Sequence, residues 1–116
     1  MILLAAPTSP PERLRAIARA SEGFIYYVSV IGTTGLRQHL PDGLAQGVQR
    51  LKRLTTKPVC VGFGISTPAH AVQVAALADG VIIGSALVHA LSNGHGRAQR
   101  LRHAGWFIRR FRRALS

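Results

Sequence analysis

Three observations predict an α/β fold of four parallel strands with covering helices. The first is the stretch from Val59 to Ser85, which reads as short apolar strand, glycine turn, capped helix, short apolar strand and Gly-Ser turn. The second is the order of the remaining segments, in which β-branched or apolar runs of four to five residues alternate with runs of helical periodicity. The third is size: 116 residues at 47% hydrophobic content give one small domain with a real core. The expected order is β-α-β-loop-α-β-α-β-(short α)-α, and strands joined by helices pair in parallel.

Ile2 to Ala5 is a short apolar strand closed by Pro7. The following Thr8-Ser9-Pro10-Pro11 is a turn in which Thr8 or Ser9 is placed to cap a helix with proline in its first turn. Leu14, Ile17 and Ala18 recur at helical spacing, and this helix runs to about Gly23. Phe24-Ile25-Tyr26-Tyr27-Val28 is aromatic and β-branched, a strand whose two tyrosines face opposite sides. Ser29 to Gln38 is a glycine-bearing stretch without periodicity, of the length that binding loops and lids take. Pro41-Asp42 opens a helix to about Leu54, with Leu44, Val48 and Leu51, and Leu54 as a further candidate, on one face.

Val59 to Val61 is the third strand, and Cys60 is expected buried within it as a small hydrophobe. Thr67-Pro68 is an N-cap followed by a first-turn proline. Asp79-Gly80 turns the chain into Val81-Ile82-Ile83, expected to be buried on both faces. Gly84-Ser85 opens a short helix to about Ser92. From Arg97, the residues Leu101, Ala104, Ile108, Phe111 and Leu115 mark one face of a last helix, with Trp106 and Phe107 off that stripe. Residues 1–96 thus form the βα units, and residues 97–116 a basic amphipathic helix of the same domain.

Charge is uneven. The chain carries a net +11. Residues 1–96 hold eight Lys/Arg and all four acids, a net of +4, whereas residues 97–116 hold seven Arg and no acid, a net of +7. The expected role of those arginines is the solvated face of the last helix, because its apolar stripe needs a sheet to cover. The competing reading is a non-catalytic basic module that binds polyanions, nucleic acid included. One cysteine makes no internal disulfide and points to a reducing compartment. No run approaches the roughly 18 apolar residues of a membrane span, and Met1 to Ala6 is short for a secretory core segment, so a cytoplasmic setting without membrane contact is expected. His39, His70, His89, His95 and His103 are scattered without metal-ligand spacing, and neither a metal nor an organic cofactor is expected.

Glycines at the C-terminal ends of parallel strands, each followed by a helix N-terminus, suit a phosphate. Gly64, Gly84 and Ser85 hold those positions. Beyond this, Tyr26-Tyr27-Val28-Ser29 with Gly32-Thr33-Thr34-Gly35, then Gly62-Phe63-Gly64-Ile65-Ser66, then Gly84-Ser85-Ala86 resemble the tryptophan synthase alpha chain family, from Ile2 to about Leu91. That resemblance implies half of a (β/α)8 TIM barrel, strands five to eight. It implies a carbon–carbon lyase of tryptophan biosynthesis that splits indole-3-glycerol phosphate into indole and glyceraldehyde 3-phosphate and passes indole to a beta chain carrying pyridoxal phosphate. By the same resemblance, Gly35, Gly64, Gly84 and Ser85 contact the phosphate, Tyr26 lines the site, Thr34 belongs to a closing loop, and Phe63 and Ile65 wall the indole pocket.

The family's acid and base are a glutamate and an aspartate in the first half of the barrel. Glu12, Glu22, Asp42 and Asp79 do not match them, so no catalytic residue is assigned and the chain alone is expected to be inactive. Two open sheet edges, at Ile2–Ala5 and Val81–Ile83, imply self-association or pairing with an N-terminal half-barrel. A truncated gene product without its own activity is the remaining alternative.

Overall fold

The computed structural model describes residues 1–29, 40, 42–62 and 64–116. Thr34, Gly35, Phe63, His39 and nearly all of the expected binding loop lie outside the described residues, as does Pro41.

Four parallel strands form one sheet in the order β1-β2-β3-β4. They are β1 (Leu4–Ala5), β2 (Ile25–Val28), β3 (Val59–Gly62) and β4 (Gly80–Ile82). Helices α1 (Pro11–Ala20), α2 (Leu44–Leu54) and α3 (Pro68–Ala75) follow the first three strands, and α4 (Ser85–Ser92) and α5 (Gly96–Leu115) follow β4. Spatial order equals chain order, the arrangement of consecutive βα units in a barrel wall.

Register separates the two sheet faces. Ala5 pairs with Tyr27, Tyr27 with Val61, Ile25 with Val59, and Val61 with Val81. These residues turn toward the helices, and all but half-buried Val81 are at most 2% exposed. Leu14, Ile17 and Ala18 of α1, Leu44, Val48 and Leu51 of α2, and Ala71 and Val74 of α3 complete that core. The other face carries Leu4, Tyr26, Cys60 and Gly80 at one level, and Val28, Gly62 and Ile82 at the next. Leu4 is 61% exposed there, and Tyr26, Cys60 and Ile82 are only half-buried. Among the described residues the sheet is therefore covered on one side and open on the other.

Several expectations are corrected. Neither Thr8 nor Ser9 caps α1: its N-cap is Pro10 without a side-chain bond. The Ser9 hydroxyl instead accepts from the Ala6 N–H at 3.0 Å, holding the preceding turn. Helix α2 starts at Leu44 rather than at Pro41-Asp42, because Gly43 sits at φ 81°, a left-handed position that stops the helix from extending backward. Leu54 is exposed, leaving Leu44, Val48 and Leu51 as the packing residues. Strand β4 is half-buried throughout rather than enclosed, since it is an edge and no described residue covers its second face. Cys60 is likewise half-buried, on the open face against Gly80, and burial followed by the charge of Asp79 raises its thiol pKa.

The largest correction concerns α5. Of the expected stripe, only Phe111 is buried, while Leu101, Ile108 and Leu115 are 59%, 51% and 42% exposed. Phe107 takes their place against the core, its ring centroid 4.8 Å from that of Phe111. Trp106 lies on the outer side with the Arg110 guanidinium 4.7 Å over its ring, a cation–π pair.

Candidate functional site

The C-terminal ends of β3 and β4 bring the site together. Gly62 ends β3 level with Ile82 near the end of β4. The chain leaves β3 through exposed Gly64, buried Ile65 and exposed Ser66, and Thr67 then caps α3, its hydroxyl accepting from the His70 N–H at 3.2 Å. Beside it, Gly84 leads into α4. The Gly84 carbonyl accepts from Leu87 N–H at 3.0 Å and Val88 N–H at 3.2 Å. No side chain caps this helix, so the Ser85 and Ala86 N–H groups have no intrahelical partner. Bare N–H groups at a helix start, backed by its dipole, form an anion seat.

Neither Gly64 nor Gly84 sits at positive φ. The positive-φ positions among the described residues are Gly23, Gly43 and Gly96. A side-chain carbon added at Gly64 or Gly84 would meet none of the described residues within 4 Å. Both positions thus hold open space over exposed backbone. Gly62 is the opposite case: a carbon there would fall 2.8 Å from two ring carbons of Tyr26. Tyr26 leans along the open face across Gly62, and its hydroxyl is carried toward the β3 end of the site. Tyr27 points the other way, into the helix layer beside Gly47, and its burial raises its pKa against the opposing pull of Arg50.

A recess of about 520 Å³ opens at these strand ends. Gly64, Ile65 and Ser66 form one side, Ser85, Ala86 and His89 of α4 another, and Asn93 and Phe107 the back. Ile65 is 2% exposed, so it is seated in the core with only an edge toward the recess. Ser66 belongs to the Gly62–Ser66 motif but carried no assigned role, and His89, Asn93 and Phe107 are additions that no motif signalled. Phe107 reaches the recess through the facing of α5, which its apolar periodicity misassigned.

The four acids lie elsewhere. Asp79 sits at the opposite end of the sheet, bound by Val59 N–H at 3.0 Å and Lys52 Nζ at 3.0 Å. These bonds, the backbone one foremost, hold its pKa below the ordinary carboxylate value. Glu22 pairs with the N-terminal ammonium, Glu12 lies exposed in the first turn of α1, and Asp42 lies exposed in the turn before α2. Among the described residues no group of three metal-ligating side chains is present, and no helix is long and apolar enough to cross a membrane.

Consecutive parallel βα units in chain order, with an uncapped helix start after β4, define a segment of a (β/α) barrel wall. Comparison with known proteins narrows the class. A family profile described as tryptophan synthase alpha chain matches residues 1–115. The tryptophan synthase alpha chain of Gloeobacter violaceus is 49% identical over 115 residues, covering 98% of this chain and 41% of that protein. A tryptophan synthase structure from Mycobacterium tuberculosis superposes with a TM-score of 0.82 at 40% identity, covering 98% of this chain and 41% of the other. The tryptophan synthase α2β2 complex of Pyrococcus furiosus gives 0.77 at 37% identity, with 94% and 44% covered. The chain belongs to the tryptophan synthase alpha chain family. It spans about two-fifths of the length of the relatives it matches.

Proposed function

We propose that this chain is the phosphate-holding half of an indole-3-glycerol-phosphate lyase barrel, without turnover of its own. The observation that carries the reading is the open space over bare backbone at Gly64 and Gly84, next to the uncapped start of α4 at Ser85. In this reading the substrate phosphate sits on the N–H groups around Gly64, Gly84 and Ser85, with Gly35 as a further contact. Tyr26 borders the reacting part of the substrate, Phe63 and Ile65 border its indole ring, and Thr34 belongs to a loop that closes over it.

In this reading the chain's residues bind and orient, and among the described residues no carboxylate lies at the strand ends to move a proton. Cleaving the carbon–carbon bond between indole and the glycerol phosphate needs an acid to protonate the indole ring carbon and a base to take the proton of the hydroxyl that becomes the aldehyde, each within hydrogen-bond reach. Asp79 is at the wrong end of the sheet and Glu22 is engaged with the chain terminus. Both carboxylates therefore come from the complementary half of the barrel. Residues 1–96 with the α5 helix act as one domain, and a tryptophan synthase beta chain is the acceptor of indole from the completed barrel. The setting is the cytoplasm, where the pathway's soluble enzymes work.

An indole-release assay tests this reading. The purified chain is expected to release no indole above the uncatalysed rate. Release near that of a full-length family member overturns the reading.

A further inference from the structure

Four of the seven arginines of α5 share one face with the chain's single tryptophan. At the helical rotation per residue, Arg102, Trp106, Arg109, Arg110 and Arg113 fall within a sector of about 100°. All five are exposed, Trp106 by 57%. Phe111, the buried residue of α5, lies about 150° round the helix from the middle of that sector. The sector therefore faces away from the core. Its placement follows from the inward packing of Phe111 and involves neither the sheet edges nor the open sheet face. Gly105 makes room beside it: a side-chain carbon there would stand 3.3 Å from Arg109 Nη1, so Arg109 folds back along the helix. None of the four acids lies on α4 or α5, and among the described residues no arginine of the sector makes an ion pair.

Charge alone fits any polyanion, and Trp106 narrows the choice. The Arg110 guanidinium stands 4.7 Å over its ring, and more than half of the residue stays accessible, which leaves ring surface for a second flat group. A single-stranded nucleic acid presents both partners at every step, a phosphate for a guanidinium and an unpaired base for an aromatic face. Arg102 to Arg113 span about 16 Å of helix axis, the length of about five nucleotides at 3.4 Å each. A duplex keeps its base faces stacked inside and gives Trp106 nothing to stack on. A lipid surface takes a helix by an apolar side that carries the aromatic, whereas Ile108 and Leu115 lie more than about 130° round α5 from Trp106.

We infer that the face of α5 formed by Arg102, Trp106, Arg109, Arg110 and Arg113 is a binding surface for single-stranded nucleic acid. The arginines hold phosphates and Trp106 stacks a base. The surface is separate from the recess at the strand ends, which α5 meets through Phe107, and it stands whether or not that recess holds a phosphate.

The test titrates the full chain with a mixed-sequence single strand of about 20 nucleotides, following the anisotropy of a label on the strand and the emission of Trp106. Expected are saturable micromolar binding at about 50 mM salt, quenching of Trp106, and a slope of log affinity against log salt of about −3. Arg102→Gln/Arg109→Gln/Arg113→Gln is expected to weaken binding at least tenfold and to flatten the slope to about −1. Trp106→Ala is expected to weaken binding at least fivefold with the slope unchanged. Arg13→Gln/Arg15→Gln/Arg19→Gln removes the same charge from exposed positions of α1 and is expected to leave binding within about twofold. Circular dichroism checks that each variant keeps the fold. No binding by the unsubstituted chain, or equal weakening by the two triple variants, overturns the surface. Binding without quenching of Trp106, or equally tight binding of a duplex of the same sequence, overturns the single-strand assignment. Phosphatidylglycerol vesicles that bind more tightly than the strand at equal anion concentration, with a blue shift of Trp106, overturn it in favour of a lipid surface.

Discussion

Val59 and Asp79 exchange hydrogen bonds across the start of the last two strands: the Asp79 N–H donates to the Val59 carbonyl at 2.9 Å, and the Val59 N–H donates to the Asp79 carboxylate at 3.0 Å. This reciprocal pair sets β4 against β3 at the end remote from the site. Three residues along, the same register brings Gly62 level with Ile82, so the Gly64 and Gly84 turns open side by side.

Removing that clamp destabilises the chain. Asp79→Ala leaves the Val59 N–H without its acceptor, at a cost of about 1 kcal/mol. The Lys52 pair adds little, because both side chains are roughly two-fifths exposed. The folded state depresses the Asp79 pKa, so its contribution is fully present above the unfolded value and is lost as pH falls through the folded one. Urea unfolding at pH 7 and 5 is expected to show the same gap between the native chain and the variant, and the gap narrows below about pH 4.

Gly62 and Gly64, two residues apart, answer substitution differently. Gly62→Ala drives a carbon into the Tyr26 ring and is expected to cost about 1–3 kcal/mol. The loss is smaller when Tyr26→Ala is already present, a coupling that a double-mutant cycle measures. Gly64→Ala meets nothing, and its stability change stays within about 0.5 kcal/mol. On the proposed phosphate-holding role it is nevertheless expected to weaken phosphate binding, because the added methyl occupies the space over the exposed backbone. Thermal melts and phosphate titration separate the two effects.

Helix α3 depends on one cap. Thr67→Ala removes the acceptor of the His70 N–H and is expected to lower stability by about 1 kcal/mol, read by chemical denaturation. Thr67→Ser keeps the oxygen and recovers most of the loss.

Strand positions and the Thr67 cap were legible because each rests on short-range chemistry: β-branched runs, glycine turns, and a hydroxyl before proline. The opposed facing of Tyr26 and Tyr27 followed from strand alternation alone. The facing of α5 was not legible. Its sequence carries two apolar rows, Phe107 with Phe111 and Leu101 with Ile108 and Leu115, and periodicity does not say which row meets the core. The half-burial of β4 was hidden for a related reason: a run such as Val81-Ile82-Ile83 fits enclosure on both faces, and among the described residues one face has no cover. In the site, Gly64, Gly84 and Ser85 were readable as a motif. His89, Asn93 and Phe107 were not, since helix packing alone brings them to the recess.

Phosphorus NMR of indole-3-glycerol phosphate titrated with the chain tests the central claim most directly, because it reads binding and cleavage together. A saturable shift of the substrate resonance is predicted, weakened at least tenfold by Ser85→Asp, which sets a carboxylate at the anion seat, with no glyceraldehyde 3-phosphate resonance over hours. No shift at millimolar substrate, or a product resonance growing at an enzymatic rate, would contradict a phosphate grip without chemistry.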